Sequence, residues 1–191
     1  MLIAFTGLHA TGKTYLTDCI HKKFGFDIYN KQEIIANICE KQTGRKDWYK
    51  WYHEKFRKDS TDITSQIARQ LPFDRNIILD AIHNPIEWKI IQSIIPLAFL
   101  AVVITPKPIR STRWDEGDHI KDIQRIKYWH SVYGNSTDCL LAHADWSFNG
   151  AASREINEKN FEELMKYAQS RNFICRQKSK LHNGLNIQRI Q

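Results

Sequence analysis

The sequence predicts an α/β fold in which a parallel β-sheet carries helices on both faces. Three observations point there. Short, nearly uninterrupted apolar runs at residues 2–6, 76–80 and 97–105 have the length and character of strands buried on both sides. Helix-like stretches separate them, so strands and helices alternate along the chain. The chain has 191 residues, 42% of them hydrophobic, which suits one compact domain with a sizeable core.

Taken in order, residues 2–6 form the first expected strand, ending at Gly7. A helix over 13–24 puts Leu16, Cys19 and Ile20 on one face and stops at Gly25. Residues 26–29 read as a second short strand and 33–41 as a helix closed by Gly44. The segment 46–71 interleaves Trp48, Tyr49, Trp51, Tyr52 and Phe56 with lysines and arginines. It then places Ile63, Ile67 and Leu71 at helical spacing, and one or two helices are expected. Residues 76–80 are the clearest buried strand, and Pro85 sits where a first-turn proline would open a helix over 86–95. The strand over 97–105 is stopped by Pro106 and Pro108. A helix begins over 109–114, an acidic break covers 115–118, and another helix covers 119–133. A last strand at 145–149 and a last helix at 156–170 complete a single domain over 1–175, followed by a basic, poorly patterned tail over 176–191.

The formal net charge of +7 fits anionic partners, nucleotides and nucleic acids alike. Cys19, Cys39, Cys139 and Cys175 show no metal-like spacing, so free thiols in a reducing compartment are expected. His130 and His143 have no partner at metal-ligand spacing either. The longest apolar stretch, 90–104, is broken by Gln92, Ser93 and Pro96, and it falls short of the roughly 18 residues a membrane span needs. A soluble, cytoplasmic protein without membrane association is the expectation.

The sharpest motif is Gly7-Leu8-His9-Ala10-Thr11-Gly12-Lys13-Thr14, which matches G-x-x-x-x-G-K-[ST] at every fixed position. Such a loop wraps a phosphate in backbone N–H groups, and the helix that follows aims its partly positive N-terminus at the anion. Lys13 would reach the β- and γ-phosphates, and the Thr14 hydroxyl would ligate Mg²⁺. Gly7, His9, Ala10, Thr11, Gly12, Lys13, Thr14 and Tyr15 are thus the expected contacts of a nucleoside triphosphate, ATP above all, with His9 at a variable position of the pattern. Asp80 closes an apolar strand and is a candidate Mg²⁺ ligand and catalytic carboxylate, or else a strand-end cap.

In order, these pieces resemble the nucleotide-kinase branch of the P-loop proteins, in particular dephospho-CoA kinases and adenylate-kinase-related proteins. Where those proteins carry Asp-Gly-x-Arg after a strand, this chain has Asp80-Ala81-Ile82-His83. A strand followed by two spaced arginines is matched by residues 101–113, ending Arg110-Ser111-Thr112-Arg113, and a later Ala-Asp-aromatic segment by residues 144–149. The likeness covers roughly residues 1–168. It implies five parallel strands, a lid over about 110–125 and a helical acceptor-binding insertion over about 33–71. It also implies transfer of the γ-phosphoryl group of ATP, with Mg²⁺, to a small nucleotide-like acceptor, a nucleoside monophosphate or a dephospho-CoA-like molecule. Arg113 would then act on the migrating group, Arg110 would contact the nucleotide, and Arg125 would lie in the helix leaving the lid. Glu33, Arg57 and His83 would face the acceptor.

Three departures stand out. Ala81 and His83 replace the family's glycine and arginine, the stretch after Arg113 is acidic, and Lys31-Gln32-Glu33 stands where dephospho-CoA kinases carry Asp-x-Asp. They leave open a nucleotide-binding protein or slow ATPase without acceptor chemistry. The aromatic and basic stretch 48–58 has three readings: core packing, acceptor site, or a nucleic-acid stacking surface of an associated NTPase.

Overall fold

The computed structural model describes residues 1–114, 118–134 and 137–187, with side chains up to Arg171 apart from those of residues 118, 119, 121 and 125. Five strands form one parallel sheet: β1 (Leu2–Thr6), β2 (Asp27–Asn30), β3 (Ile77–Asp80), β4 (Ala98–Ile104) and β5 (Trp146–Asn149). Their spatial order is β2-β3-β1-β4-β5. β1 is central, with Ile3 opposite Ile78 on one side and Phe99 on the other. Because β3 and β4 lie on opposite sides of β1, the chain turns opposite ways on leaving it. That opens a crevice beyond the carboxyl ends of the strands, where ligands of such sheets gather.

The period-2 alternation of β1 divides the core. Leu2 and Ala4 face one layer, with Trp51, Phe56, Ile67, Trp88 and Trp129. Ile3 and Phe5 face the other, with Leu16, Ile20, Phe26, Phe148, Phe161 and Leu164. The helices are α1 (Lys13–Phe24), α2 (Lys31–Thr43), α3 (Trp48–Lys58), α4 (Ser60–Arg69), α5 (Pro85–Ile94), α6 (Lys107–Ser111), α7 (Asp118–Tyr133) and α8 (Arg154–Ile187), with a 3₁₀ turn at Thr137–His143. Among the described residues no helix is long and apolar enough to cross a membrane, and Cys19, Cys39 and Cys139 are free thiols.

Several boundaries differ from the pattern-based expectation, each for a local reason. α2 starts at Lys31, two residues early, because the Asn30 side chain accepts from Gln32 N–H at 2.9 Å and caps it. The 46–71 segment is two helices because Asp59 breaks to an extended φ of −154° and caps α4 through Asp62 N–H. α6 starts at Lys107, with Pro108 tolerated in the first turn, where no N–H is needed. α8 runs past the expected tail boundary at 176, through a stretch with no proline and no glycine before Gly184. The aromatics of α3 turn largely inward: Trp51, Tyr52, His53 and Phe56 are buried, while Tyr49 stays exposed. Trp129 and Tyr133 of α7 meet Phe56 edge-on at 5.8 and 5.1 Å.

Candidate active site

The loop between β1 and α1 has the backbone its sequence requires. Gly7 adopts φ +146°, and a Cβ there would lie 2.6 Å from the Val103 carbonyl oxygen, so only glycine fits. Ala10 and Gly12 also have positive φ, 58° and 91°. Thr11 Oγ1 donates to Leu8 O at 3.0 Å, and Thr105 Oγ1, at the end of β4, donates to Thr11 O at 2.9 Å. Lys13 Nζ folds back to donate to Gly7 O at 3.0 Å and Leu8 O at 2.8 Å. α1 then begins with no side-chain cap and no acidic residue in its first turn, so its N-terminal amides are left for an anion.

The loop forms one wall of a cleft of about 530 Å³. His9, Ala10, Thr11, Gly12, Lys13, Thr14 and Arg113 line it from one side, and Asn30, Gln32, Asp80, Ala81 and His83 from the other. Asp80 does not cap a helix; Asn84 does, accepting from Ile86 N–H at 2.7 Å. Asp80 Oδ1 is buried and has no hydrogen-bond partner. Burial pushes its carboxyl pKa above the ordinary 3.8, with Lys13 and Lys31 pulling the other way. A buried, unpartnered carboxylate oxygen across the cleft from the exposed Thr14 hydroxyl suits a hard, oxygen-seeking divalent cation such as Mg²⁺. Arg113 reaches over the loop, its Nη1 donating to Gly150 O at 3.0 Å and Ala10 O at 3.5 Å.

No family model matches the chain, and no curated protein matches it. Solved structures do. A shikimate kinase from Aquifex aeolicus vf5 is 15% identical, with TM-score 0.51 over 88% of this chain and 99% of that one. An APS kinase from Mycobacterium tuberculosis, solved with AMPPNP and APS, is 12% identical, with TM-score 0.52 over 85% and 94%. An uncharacterised protein from Eubacterium ventriosum ATCC 27560 is 13% identical, with TM-score 0.54 over 89% and 99%. The chain has the P-loop kinase fold.

On this P-loop kinase frame, some expected site residues fall elsewhere. Glu33 is exposed on α2, outside the cleft lining, and Gln32 stands there instead, because the helix starts two residues early. Tyr15 is 57% exposed and also lies outside the lining. Arg110 is buried and engaged away from the cleft: Nη1 donates to Asp122 Oδ2 at 2.7 Å and to His9 O at 3.2 Å. Asp122 Oδ1 in turn accepts from His9 N–H at 2.8 Å, so the pair clips the phosphate loop to α7. Arg57 lines a separate hollow of about 500 Å³ between α3 and α7. Of the expected lid, residues 115–117 and the Arg125 side chain lie outside the described residues. His130 Nε2 lies 3.2 Å from an Asp138 oxygen, a pairing its sequence spacing does not announce.

Sequence reasoning missed Asn30, Gln32, Thr105, Asp122 and Gly150. Gly150 had a signal, since it directly follows the 144–149 segment. A Cβ at Gly150 would overlap the Thr11 carbonyl oxygen and Thr105 Oγ1. Gly150→Ala is therefore expected to push the loop off its seat and cost about 1–3 kcal/mol of stability, the usual range for overpacking. Urea unfolding checks this, and an unchanged midpoint would mean that the loop does not rest on Gly150.

Beneath the floor, Lys31 Nζ donates to both Glu87 oxygens at 2.8 and 2.9 Å, with the two residues 2% and 0% exposed. Glu87 also accepts from Tyr52 Oη at 3.1 Å and from the His83 N–H at 3.3 Å. This network ties the start of α2 to the segment that carries Asp80 and His83.

Proposed function

We propose that this protein is an ATP-dependent phosphotransferase that moves the γ-phosphoryl group to a small acceptor. The observation that carries the reading is the convergence of Lys13, Thr14, Asp80 and Arg113 on one cleft beside the loop. The loop amides and Lys13 would hold the β- and γ-phosphates, while Thr14 and Asp80 would hold Mg²⁺. Bound there, the ion supplies charge neutralisation at the phosphates. Arg113, already over the loop, would shift onto the migrating group as negative charge spreads over its oxygens. Arg110 and Asp122 position the loop rather than touch the nucleotide. The acceptor would enter from the Asn30, Gln32 and His83 side, with Arg57 further out. A nucleoside monophosphate or a dephospho-CoA-like molecule is the acceptor class that the sequence likeness suggests. A reducing, cytoplasmic setting suits the free thiols.

ATP radiolabelled in its γ-phosphate, incubated with an acceptor panel, tests the reading. Labelled acceptor supports it, whereas free phosphate alone favours the slow-ATPase alternative, which His83 in place of an arginine motivates. The inward turn of Trp51, Tyr52 and Phe56 removes most of the stacking surface that the nucleic-acid alternative needs.

Asp80→Asn separates function from stability. Transfer should fall about 10²-fold or more, because the cation loses an anionic ligand. The ligand-free melting temperature should rise. The raised pKa means that the buried charge opposes folding above that pKa, and asparagine removes the charge. In the native protein the same shift should make Mg²⁺-dependent activity fall on acidification before the ordinary aspartate value of 3.8 is reached. Rate–pH profiles and melts of the two proteins check all three outcomes.

A further inference from the structure

Resting on the phosphotransferase reading, we infer that the acceptor reacts through an uncharged hydroxyl and not through a phosphate oxygen. The charges around the acceptor side of the cleft carry this. The groups there are the amides of Asn30 and Gln32, the Asp80 carboxylate and His83. Behind them a small cavity of about 50 Å³ shares Gln32 and His83 as walls and is otherwise mostly aromatic, with Trp48, Tyr52 and Trp129. Its one lysine, Lys31, is neutralised by both oxygens of Glu87. His53, also in its wall, is held uncharged at neutral pH, its pKa lowered to about 4 by burial and by Lys31 and Arg57.

Among the described residues, then, no lysine or arginine without a carboxylate partner lines the acceptor side of the cleft or this cavity. Kinases that phosphorylate a phosphate must hold two anions side by side, and cations on the acceptor side make that affordable. Lys13 and Arg113 lie on the loop side of the same cleft and are taken up by the nucleotide, so an acceptor phosphate beside the γ-phosphate would face Asp80 and otherwise meet amides and rings. Burying a charge without a partner costs several kcal/mol. A hydroxyl asks for one or two hydrogen bonds, which the Asn30 and Gln32 amides can give.

The cations lie further out. Lys50 and Arg57, against one carboxylate, Glu54, line the hollow of about 500 Å³ and leave it a positive surplus, and it shares Tyr49 and His53 with the small cavity. An anionic group on the acceptor is therefore accommodated at its far end, with an apolar or planar body against the aromatic wall between. In the reaction the acceptor oxygen bonds to the γ-phosphorus and the bond from phosphorus to the β–γ bridging oxygen breaks. ADP leaves with the electron pair, and the hydroxyl proton passes to water in the open cleft. The product is a phosphomonoester, not a phosphoanhydride.

Two measurements test this. Protein loaded with Mg²⁺ and AMPPNP is titrated with benzyl alcohol and with phenyl phosphate, which share a ring and differ in reacting group, while the tryptophan fluorescence, to which Trp48 and Trp129 of the cavity wall contribute, is followed. The alcohol is expected to bind at least about tenfold more tightly. Equal or tighter binding of phenyl phosphate overturns the inference, and so does silence toward the alcohol up to its solubility limit. Nucleoside monophosphates, which offer both groups, are then incubated with γ-labelled ATP. Label that survives hot dilute acid and is released by alkaline phosphatase supports a hydroxyl acceptor, and acid-labile label in a diphosphate overturns it. Failure of the phosphotransferase reading looks different: calorimetry finds no uptake of Mg²⁺–AMPPNP, or no compound takes up label.

Discussion

Lys13→Ala is expected to lower phosphoryl transfer by about 10³-fold while leaving the protein folded. The size follows from what the ammonium group does. In the structure it donates to Gly7 O and Leu8 O, two carbonyls of the loop it belongs to. A polyphosphate in the cleft offers charged acceptors in place of those neutral ones, so the side chain exchanges partners with little movement. Removing one preorganised donor from developing transition-state charge costs roughly 10²–10³ in rate, and removing a cation acting on a migrating phosphoryl group costs roughly 10³–10⁵. The fold should barely notice. The side chain is only half-buried, water can serve the two carbonyls, and the backbone of the loop is pinned independently by Thr11, Thr105 and Gly150. Unfolding free energy should therefore change by less than about 1 kcal/mol. Lys13→Arg should not restore the rate, because a planar fork does not reproduce a compact ammonium in a loop this tight. Initial rates with labelled ATP, set beside thermal melts, read both effects. A Lys13→Ala protein that transfers phosphate at the native rate would remove the phosphate loop from the mechanism.

The contrast between that residue and others shows which parts of the site a sequence carries. The placement of Gly7, Lys13 and Thr14 was legible because a local rule fixes it: strand, loop and helix are contiguous. β1, β3 and β4 were legible for a similar reason, since short apolar runs need no knowledge of distant residues. Arg110 was misplaced because its role depends on Asp122, twelve residues away on another helix and beyond an acidic stretch that gives no hint of the pairing. Glu33 lost its place to Gln32 through a two-residue shift in a helix start, and that shift was set by one asparagine side chain. On a helix adjacent positions differ by about 100° of rotation, enough to bring Gln32 into the cleft lining and leave Glu33 outside it. The stretch 48–58 was ambiguous because aromatics alternating with charges satisfy either a buried face or a stacking surface. Only the arrival of Trp129 and Tyr133 from α7 decides that most of them pack inward.

The Lys31–Glu87 pair, 56 residues apart in sequence, follows no local pattern, and its removal should produce the largest loss of stability. Glu87→Gln leaves the Lys31 ammonium buried without its counter-charge, and Lys31→Met leaves the Glu87 carboxylate in the same position. Each is expected to cost about 3–5 kcal/mol, the usual penalty for breaking a buried ion pair by removing one partner. The double variant should recover most of that loss. It removes both charges and keeps a carbonyl oxygen at position 87 to accept from one of the two remaining donors, Tyr52 Oη or the His83 N–H. Replacing a buried pair by uncharged groups of similar size is often neutral. The coupling from urea unfolding of all four proteins should thus be large and opposite in sign to the single losses. Single variants that each lose less than about 1 kcal/mol would mean that the pair is solvated like a surface bridge. The same set of proteins also bears on acceptor choice. Glu87→Gln places an uncompensated cation behind Gln32 and His83 and should raise tolerance for an acceptor phosphate. The double variant, neutral like the native pair, should keep the native preference. Stability would then follow whether the buried charge is balanced, and acceptor preference would follow the sign of the charge left over.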